Sequence, residues 1–153
     1  MKIAIGSDHA GYSLKEEIAG FLEKEQIELK DFGVHSPEPA DYPDTGALVA
    51  EAVARGEFDR GILVCATGIG MSIVANKVPG IRAALCTSVD TALLSREHND
   101  ANILVLGGRV TDTATGIRIV RAWFHESFSE EQRHVRRIQK IKDIERRYSR
   151  SGG

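Results

Sequence analysis

The stretch Gly61–Lys77, GILVCATGIGMSIVANK, decides the fold. Gly61 to Val64 is a short apolar run of strand type, with Cys65 at its carboxyl end. Ala66 to Gly70 is a tight loop that carries Gly68 and Gly70. Met71 to Lys77 reads as the first turns of a helix. Ligands of open α/β sheets bind outside the carboxyl ends of the strands. Unpaired N–H groups where a loop enters a helix favour negative charge, whether bound or developing in a reaction. Cys65 stands where it can act on the molecule carrying that charge.

The same alternation extends in both directions. Lys2 to Gly6 is a strand ending in Ser7-Asp8-His9-Ala10-Gly11. Ser13-Leu14-Lys15-Glu16 has the form of a capping box. Leu14, Ile18, Phe21 and Leu22 then follow at helical spacing, predicting a helix to about Lys24. Ile27 to Phe32 alternates as a second strand. Gly33 to Asp44 carries three prolines and reads as a loop. A helix over Thr45–Arg55 precedes the strand Arg60–Cys65. Arg82–Cys86 is a fourth strand, and Ser88 can cap a helix reaching Glu97. Ile103–Leu106 is a fifth strand, and Asp112 can cap a helix reaching His125. Ser129 or Glu130 starts a last, basic helix. Strands alternating with helices imply βαβ units and a parallel sheet covered on both faces. The expectation is one domain over residues 1–150. Its fold is a three-layer α/β/α sandwich with a Rossmann-like five-stranded parallel sheet and a C-terminal helical extension.

Bulk properties narrow the function. The 153 residues are 42% apolar and 27% charged, as in a folded globular chain. The net charge of −2 argues against a general nucleic-acid binder. No apolar run approaches the roughly 20 residues of a membrane helix. No leader pattern precedes the first strand, so the cytoplasm is expected. Cys65 and Cys86 have neither metal-ligand spacing nor a disulfide framework, and both are expected as thiols.

Four loops carry polar or reactive groups: Asp8-His9, Asp41-Tyr42-Pro43-Asp44, Cys65 to Gly70, and His98-Asn99-Asp100. Each also has a plain structural reading. Cys65 can be a small buried hydrophobe, Asp8 a helix cap, His98 a surface histidine, and Asp41 and Asp44 turn residues. Arg133 and Arg137 lie four apart, so on a helix they share a face and could clamp a dianion. The whole basic helix could equally be a solvated face. Val135, Ile138, Ile141 and Ile144 recur along it at helical spacing. Several named sites are excluded. A dinucleotide fingerprint lacks its third glycine after Gly68-Ile69-Gly70, and the P-loop lysine is missing. Met71 occupies the place where a cysteine phosphatase needs arginine. Asp8, His9, His98 and Asp100 match no metal motif.

Taken together, GSDHAG at Gly6–Gly11, DYPD at Asp41–Asp44, CATGIGMSI at Cys65–Ile73, ANK at Ala75–Lys77 and SREHNDAN at Ser95–Asn102 resemble the type B ribose-5-phosphate isomerases. The wider family includes galactose- and allose-6-phosphate isomerases. The resemblance runs from Lys2 to about Tyr148. It implies an aldose–ketose isomerisation that uses no cofactor and no metal. Cys65 would move a proton between C1 and C2 of the open-chain sugar. The N–H groups of Ala66, Thr67, Gly68, Ile69 and Gly70 would hold the enediolate oxygen. His98 would open the furanose ring, with Asp8 assisting. Thr67 and Asn99 would contact the sugar, and His9, Arg109, Arg133 and Arg137 the phosphate. The resemblance also implies a homodimer or dimer of dimers with its active site at the subunit interface. Many members have glycine where this chain has Ala66. Two rival functions remain open: isomerisation of a six-carbon sugar phosphate, and a non-catalytic module that binds sugar phosphates.

Overall fold

The computed structural model describes residues 1–149. Arg150, the last residue of the expected domain and of its basic tail, lies outside them. The elements alternate as β1 (Lys2–Ser7), α1 (Tyr12–Lys24), β2 (Glu28–Asp31), α2 (Tyr42–Ala54), β3 (Arg60–Cys65) and α3 (Ile69–Ala75). They continue as β4 (Ala83–Leu85), α4 (Val89–Glu97), β5 (Ile103–Gly107), α5 (Thr113–His125) and α6 (Gln132–Tyr148). The five strands form one sheet in the order β2-β1-β3-β5-β4, every pair parallel. No described helix is long and apolar enough to cross a membrane.

The period-two pattern of the strands divides the core into two layers. Ile3 and Ile5, Ile62 and Val64, and Leu104 and Leu106 face α1, α4 and α5, where they meet Leu14, Ile18, Ala92, Ile119 and Trp123. Ala4, Leu63, Cys65, Ile103 and Val105 face the other way, onto Val49, Val53, Met71 and Ala75 of α2 and α3. The loop after β1 therefore leads to one face and the loop after β3 to the other. Adjacent strands whose connections diverge in this way leave a crevice at their carboxyl ends, the usual ligand position of such sheets.

Several boundaries depart from the sequence reading. Ser13 is not a cap: α1 starts at Tyr12 behind Gly11, with no side-chain cap bond. The Asp8 carboxylate occupies that entry instead, accepting the Gly11 N–H at 2.9 Å. α2 starts at Tyr42 rather than Thr45, because Pro43 sits in the first turn, where its missing N–H is not needed. α3 is shifted two residues towards the N-terminus. It ends at Ala75 because Asn76 ties off its last turn. The Asn76 Nδ2–H donates to the Ser72 and Ala83 carbonyls at 3.0 and 3.1 Å, and its Oδ1 accepts the Ala83 N–H. α6 starts at Gln132, since Glu130 holds a left-handed φ of 61° that no helix continues through. Ser88 and Asp112 are caps as expected, accepting the N–H groups of Thr91 and Thr115. Along α6 only Ile138 of the apolar set is buried, while Val135, Ile141 and Ile144 are exposed.

Ile62 lies in the central strand with no exposed surface. Ile62→Ala is expected to cost about 2–5 kcal/mol in urea denaturation, through lost burial and a residual cavity. A change within error of that for the exposed Glu23→Ala would contradict this packing.

Candidate active site

Main-chain bonds draw three loops together at the carboxyl rim of the sheet. The Asp8 N–H donates to the Val64 carbonyl at 3.2 Å, joining the β1 loop to the end of β3. The Gly108 N–H donates to the Cys65 carbonyl at 2.7 Å, and the Arg109 N–H to the Ala66 carbonyl at 2.9 Å. Asp8, His9, Cys65, Ala66, Thr67, Gly68, Ile69, Gly70 and Arg109 are thereby gathered at one end of the molecule. Cys65 is buried, on the face packed by Met71 and Val105. Its small-hydrophobe role and its place at the loop coexist. Asp8 is also buried, and Thr67, Ile69 and Arg109 are exposed.

The loop after Cys65 is shaped by its own residues. Gly68 holds φ 84° at the N-cap of α3, a conformation that glycine adopts without strain. Thr67 Oγ1 accepts the Ile69 N–H at 3.2 Å, while the N–H groups of Gly68 and Gly70 have no hydrogen-bond partner among the described residues. Tyr42 lies over Gly70, so close that a Cβ there would stand 2.6 Å from the ring. Ala66 is not among the residues with positive φ, so alanine fits this loop without backbone strain. His9 is held by Ala40, whose N–H donates to Nδ1 at 3.1 Å and whose carbonyl lies 3.2 Å from the same nitrogen. Accepting the Ala40 N–H at Nδ1 puts the ring proton on Nε2, and donating to the Ala40 carbonyl puts it on Nδ1, so Ala40 meets the ring in either tautomer.

His98 and Asn99 sit at the opposite end. α4 runs back across the sheet, and His98 is its C-cap. Cys65 pairs with Gly107 at the end of β5, whereas the Asn102 carbonyl just before β5 accepts the Gly61 N–H. At about 3.3 Å per residue, the length of β5 alone separates the two ends by roughly 13 Å. The His98–Ala101 turn is braced by two arginines. The Arg82 guanidinium donates to the carbonyls of Asn99 and Asp100, and the buried Arg96 donates to Asp100 Oδ1 at 2.7 Å and to the Ala101 carbonyl at 2.8 Å.

The start of α6 joins this amino-terminal group. The rings of His98 and His134 stack at 4.2 Å with 13° between their planes. His134 is buried and its Nε2 has no hydrogen-bond partner among the described residues. Burial, then the neighbouring His98, hold the His134 pKa below the usual imidazole value. Arg133 is exposed and paired with Glu131 at 3.0 Å, and Arg137 is exposed on the same helix. A groove of about 590 Å³ beside this group is lined by Asn76, Lys77, Arg82, Asn99, Ile144 and Tyr148, among others, and not by Cys65. No hydrogen bond, ion pair or ring contact joins the two groups among the described residues.

Sequence reasoning missed Tyr42 and His134. The first was read as part of a turn. The second was passed over between two arginines, although its spacing of four from Ile138 marks the inward side of α6.

The sequence pattern described as Ribose/Galactose Isomerase matches residues 3–141. The chain is 47% identical over 146 residues to the ribose-5-phosphate isomerase B of Escherichia coli, covering 95% of this chain and 97% of that one. It is similar in structure to the ribose-5-phosphate isomerase B of Clostridium thermocellum, with a TM-score of 0.95 and 57% identity over 97% of this chain and 99% of the other. The type B ribose 5-phosphate isomerase of Trypanosoma brucei gives 0.90 and 50%, over 94% and 97%. With a family pattern spanning nearly its whole length and relatives matched almost end to end, the chain belongs to the ribose/galactose isomerase family.

Proposed function

We propose that this chain interconverts ribose 5-phosphate and ribulose 5-phosphate. The observation that carries this reading is Cys65 at the carboxyl end of β3, followed at once by the loop whose Gly68 and Gly70 N–H groups are free. Cys65, as thiolate, takes the proton from C2 of the open-chain aldose. The electron pair moves through C1 onto the carbonyl oxygen, and the loop N–H groups meet the charge that develops there. The same thiol returns the proton to C1, while the C2 hydroxyl proton passes to the charged oxygen on C1, leaving a carbonyl at C2 and a hydroxyl at C1. Donor and product are isomers, so the step balances without an electron carrier. Thr67 and Asn99 contact sugar hydroxyls, and His98, with Asp8 assisting, opens the furanose.

We further propose that the active unit is at least a dimer of this chain. A base and a ring-opening group must both come within hydrogen-bond reach of one sugar. The roughly 13 Å between the two ends of β5 argues against a single chain doing so. A second copy that brings its His98, Asn99, Arg133 and Arg137 to the Cys65 rim of the first completes the set. Exposed apolar groups at both ends support this: Ile69, Ile73 and Val110 near the Cys65 loop, and Ile141, Ile144 and Tyr148 on α6. The same site could take a six-carbon sugar phosphate, and turnover of purified protein on ribose, allose and galactose phosphates ranks the substrates.

Cys65→Ala and His98→Asn are each expected to fold and to lose most turnover of ribose 5-phosphate. Mixed after subunit exchange, the two inactive variants should recover about a quarter of wild-type activity, since half the dimers are mixed and each mixed dimer holds one intact site. No recovery despite proven exchange would refute a site shared between copies.

Arg137→Ala should lose about 1.5–3 kcal/mol of transition-state binding, or roughly 10- to 100-fold in kcat/KM, for a phosphorylated sugar. Arg136→Ala, a neighbour of equal charge, should lose far less. Equal losses would reduce α6 to a diffuse positive field.

The depressed His134 pKa also sets a pH response. The unfolded chain takes up this proton first as pH falls below the ordinary value of 6.5. The stability contributed by neutral His134 is therefore full above that pH and is lost as pH falls towards the folded value. Urea midpoints should fall more steeply on acidification for the wild type than for His134→Asn, and parallel slopes would contradict the assignment.

A further inference from the structure

We infer that Lys15 is a positioning residue for His9, acting through the segment from Gly33 to Ala40. This rests on the reading above that His9 contacts the phosphate.

Lys15 lies on α1 and has no exposed side-chain surface. An ammonium taken out of water needs partners for all three of its protons. It donates hydrogen bonds to Asp31 Oδ2 at 2.7 Å and to the Val34 carbonyl at 2.6 Å, and Glu16 Oε1 forms an ion pair with it at 3.2 Å. The Tyr12 ring lies 5.3 Å away. Two of these partners belong to the chain that leaves β2. Asp31 also accepts the Gly33 N–H through its other oxygen at 2.8 Å. One buried charge thus holds the end of β2 and the start of the following segment together.

That segment has little else to hold it. Beyond Asp31 it contains no strand or helix until α2. Its first residues pair with β1, the Ser7 N–H donating to the Gly33 carbonyl and the Val34 N–H to the Ser7 carbonyl. From Glu38 to Ala40 the hydrogen bonds are one local turn contact to Ser36 and the grip of Ala40 on His9 Nδ1. Where Ala40 stands therefore depends on the anchor at Val34 and on the entry into α2. Ala40 in turn holds the His9 ring through its two contacts to Nδ1.

An apolar side chain of similar length fills the same space but leaves the Asp31 carboxylate and the Val34 carbonyl without their donor, which costs stability. It also cannot hold either group in place, so the lysine contributes position as well as stability.

The test uses the full chain labelled with ¹⁵N-histidine, as wild type, Lys15→Met and Asp31→Asn. Two-bond ¹H–¹⁵N spectra report the tautomer of His9, and titration with inorganic phosphate at the same signals reports affinity. The wild type should show a single His9 tautomer, held by Ala40. Both variants should show a mixed tautomer and roughly tenfold weaker phosphate binding, with KM for ribose 5-phosphate raised by a similar factor and kcat changed much less. Asp31→Asn keeps the shape of the site and carries the test if Lys15→Met does not fold. A folded variant with the wild-type His9 pattern and phosphate affinity overturns the inference, as does a wild type whose His9 already shows mixed tautomers. Absence of ribose 5-phosphate turnover in the wild type would remove the substrate reading, while the His9 spectra would still decide the role of Lys15.

Discussion

The polarity of the parallel sheet is the constraint on which the rest of this molecule depends. Five strands running the same way place every carboxyl end on one rim and every amino end on the other. Each helix must then carry the chain back across the full strand length. Residues on loops after strands and residues on loops after helices are held apart by the backbone itself, whatever their side chains. Cys65 belongs to the first kind and His98 to the second. The dimer proposed above answers this separation, since a second chain can bring its His98 to the Cys65 rim of the first.

At each rim the side chains are held by bonds of a different sort. The Cys65 rim is assembled by main-chain hydrogen bonds between loops, in which Val64, Cys65 and Ala66 all act through their carbonyls. Such bonds do not depend on side-chain rotamers, so the course of the loop after Cys65 is set through the backbone. The His98 rim is assembled by buried charge: Arg82 and Arg96 brace the turn, and the stacked His98–His134 pair locks α6 to it. Lys15 extends the same principle to the segment behind His9. Charged groups in the interior of this protein thus lie where irregular backbone must be held in one place.

Much of this was legible beforehand. Short apolar runs, alternating only in the second strand, marked five strands between helical stretches, because a parallel sheet covered on both faces buries nearly every residue of its inner strands. The caps at Ser88 and Asp112 were readable because a cap is a local hydrogen bond. The capping box at Ser13 misled, because the Asp8 carboxylate, not the local pattern, serves the entry to α1. The apolar residues along α6 suggested a covered stripe. In the chain only Ile138 is buried, since His134, a polar residue, takes the neighbouring inward position.

By itself the sequence determined the α/β class, the single sheet and the family, because these follow from periodicities and motifs that are local in the chain. It also placed Cys65 and its glycine loop after the third strand, since that order is written in consecutive residues. The strand order, the two opposed groups of site residues, the His98–His134 stack and the Lys15 anchor were decided only by the tertiary structure. Each of these is a contact or a separation between residues distant in the chain. Hydrophobic pattern does not encode which strand lies beside which. Only packing both faces of one sheet brings Asp8 next to Val64 and sends His98 to the far end.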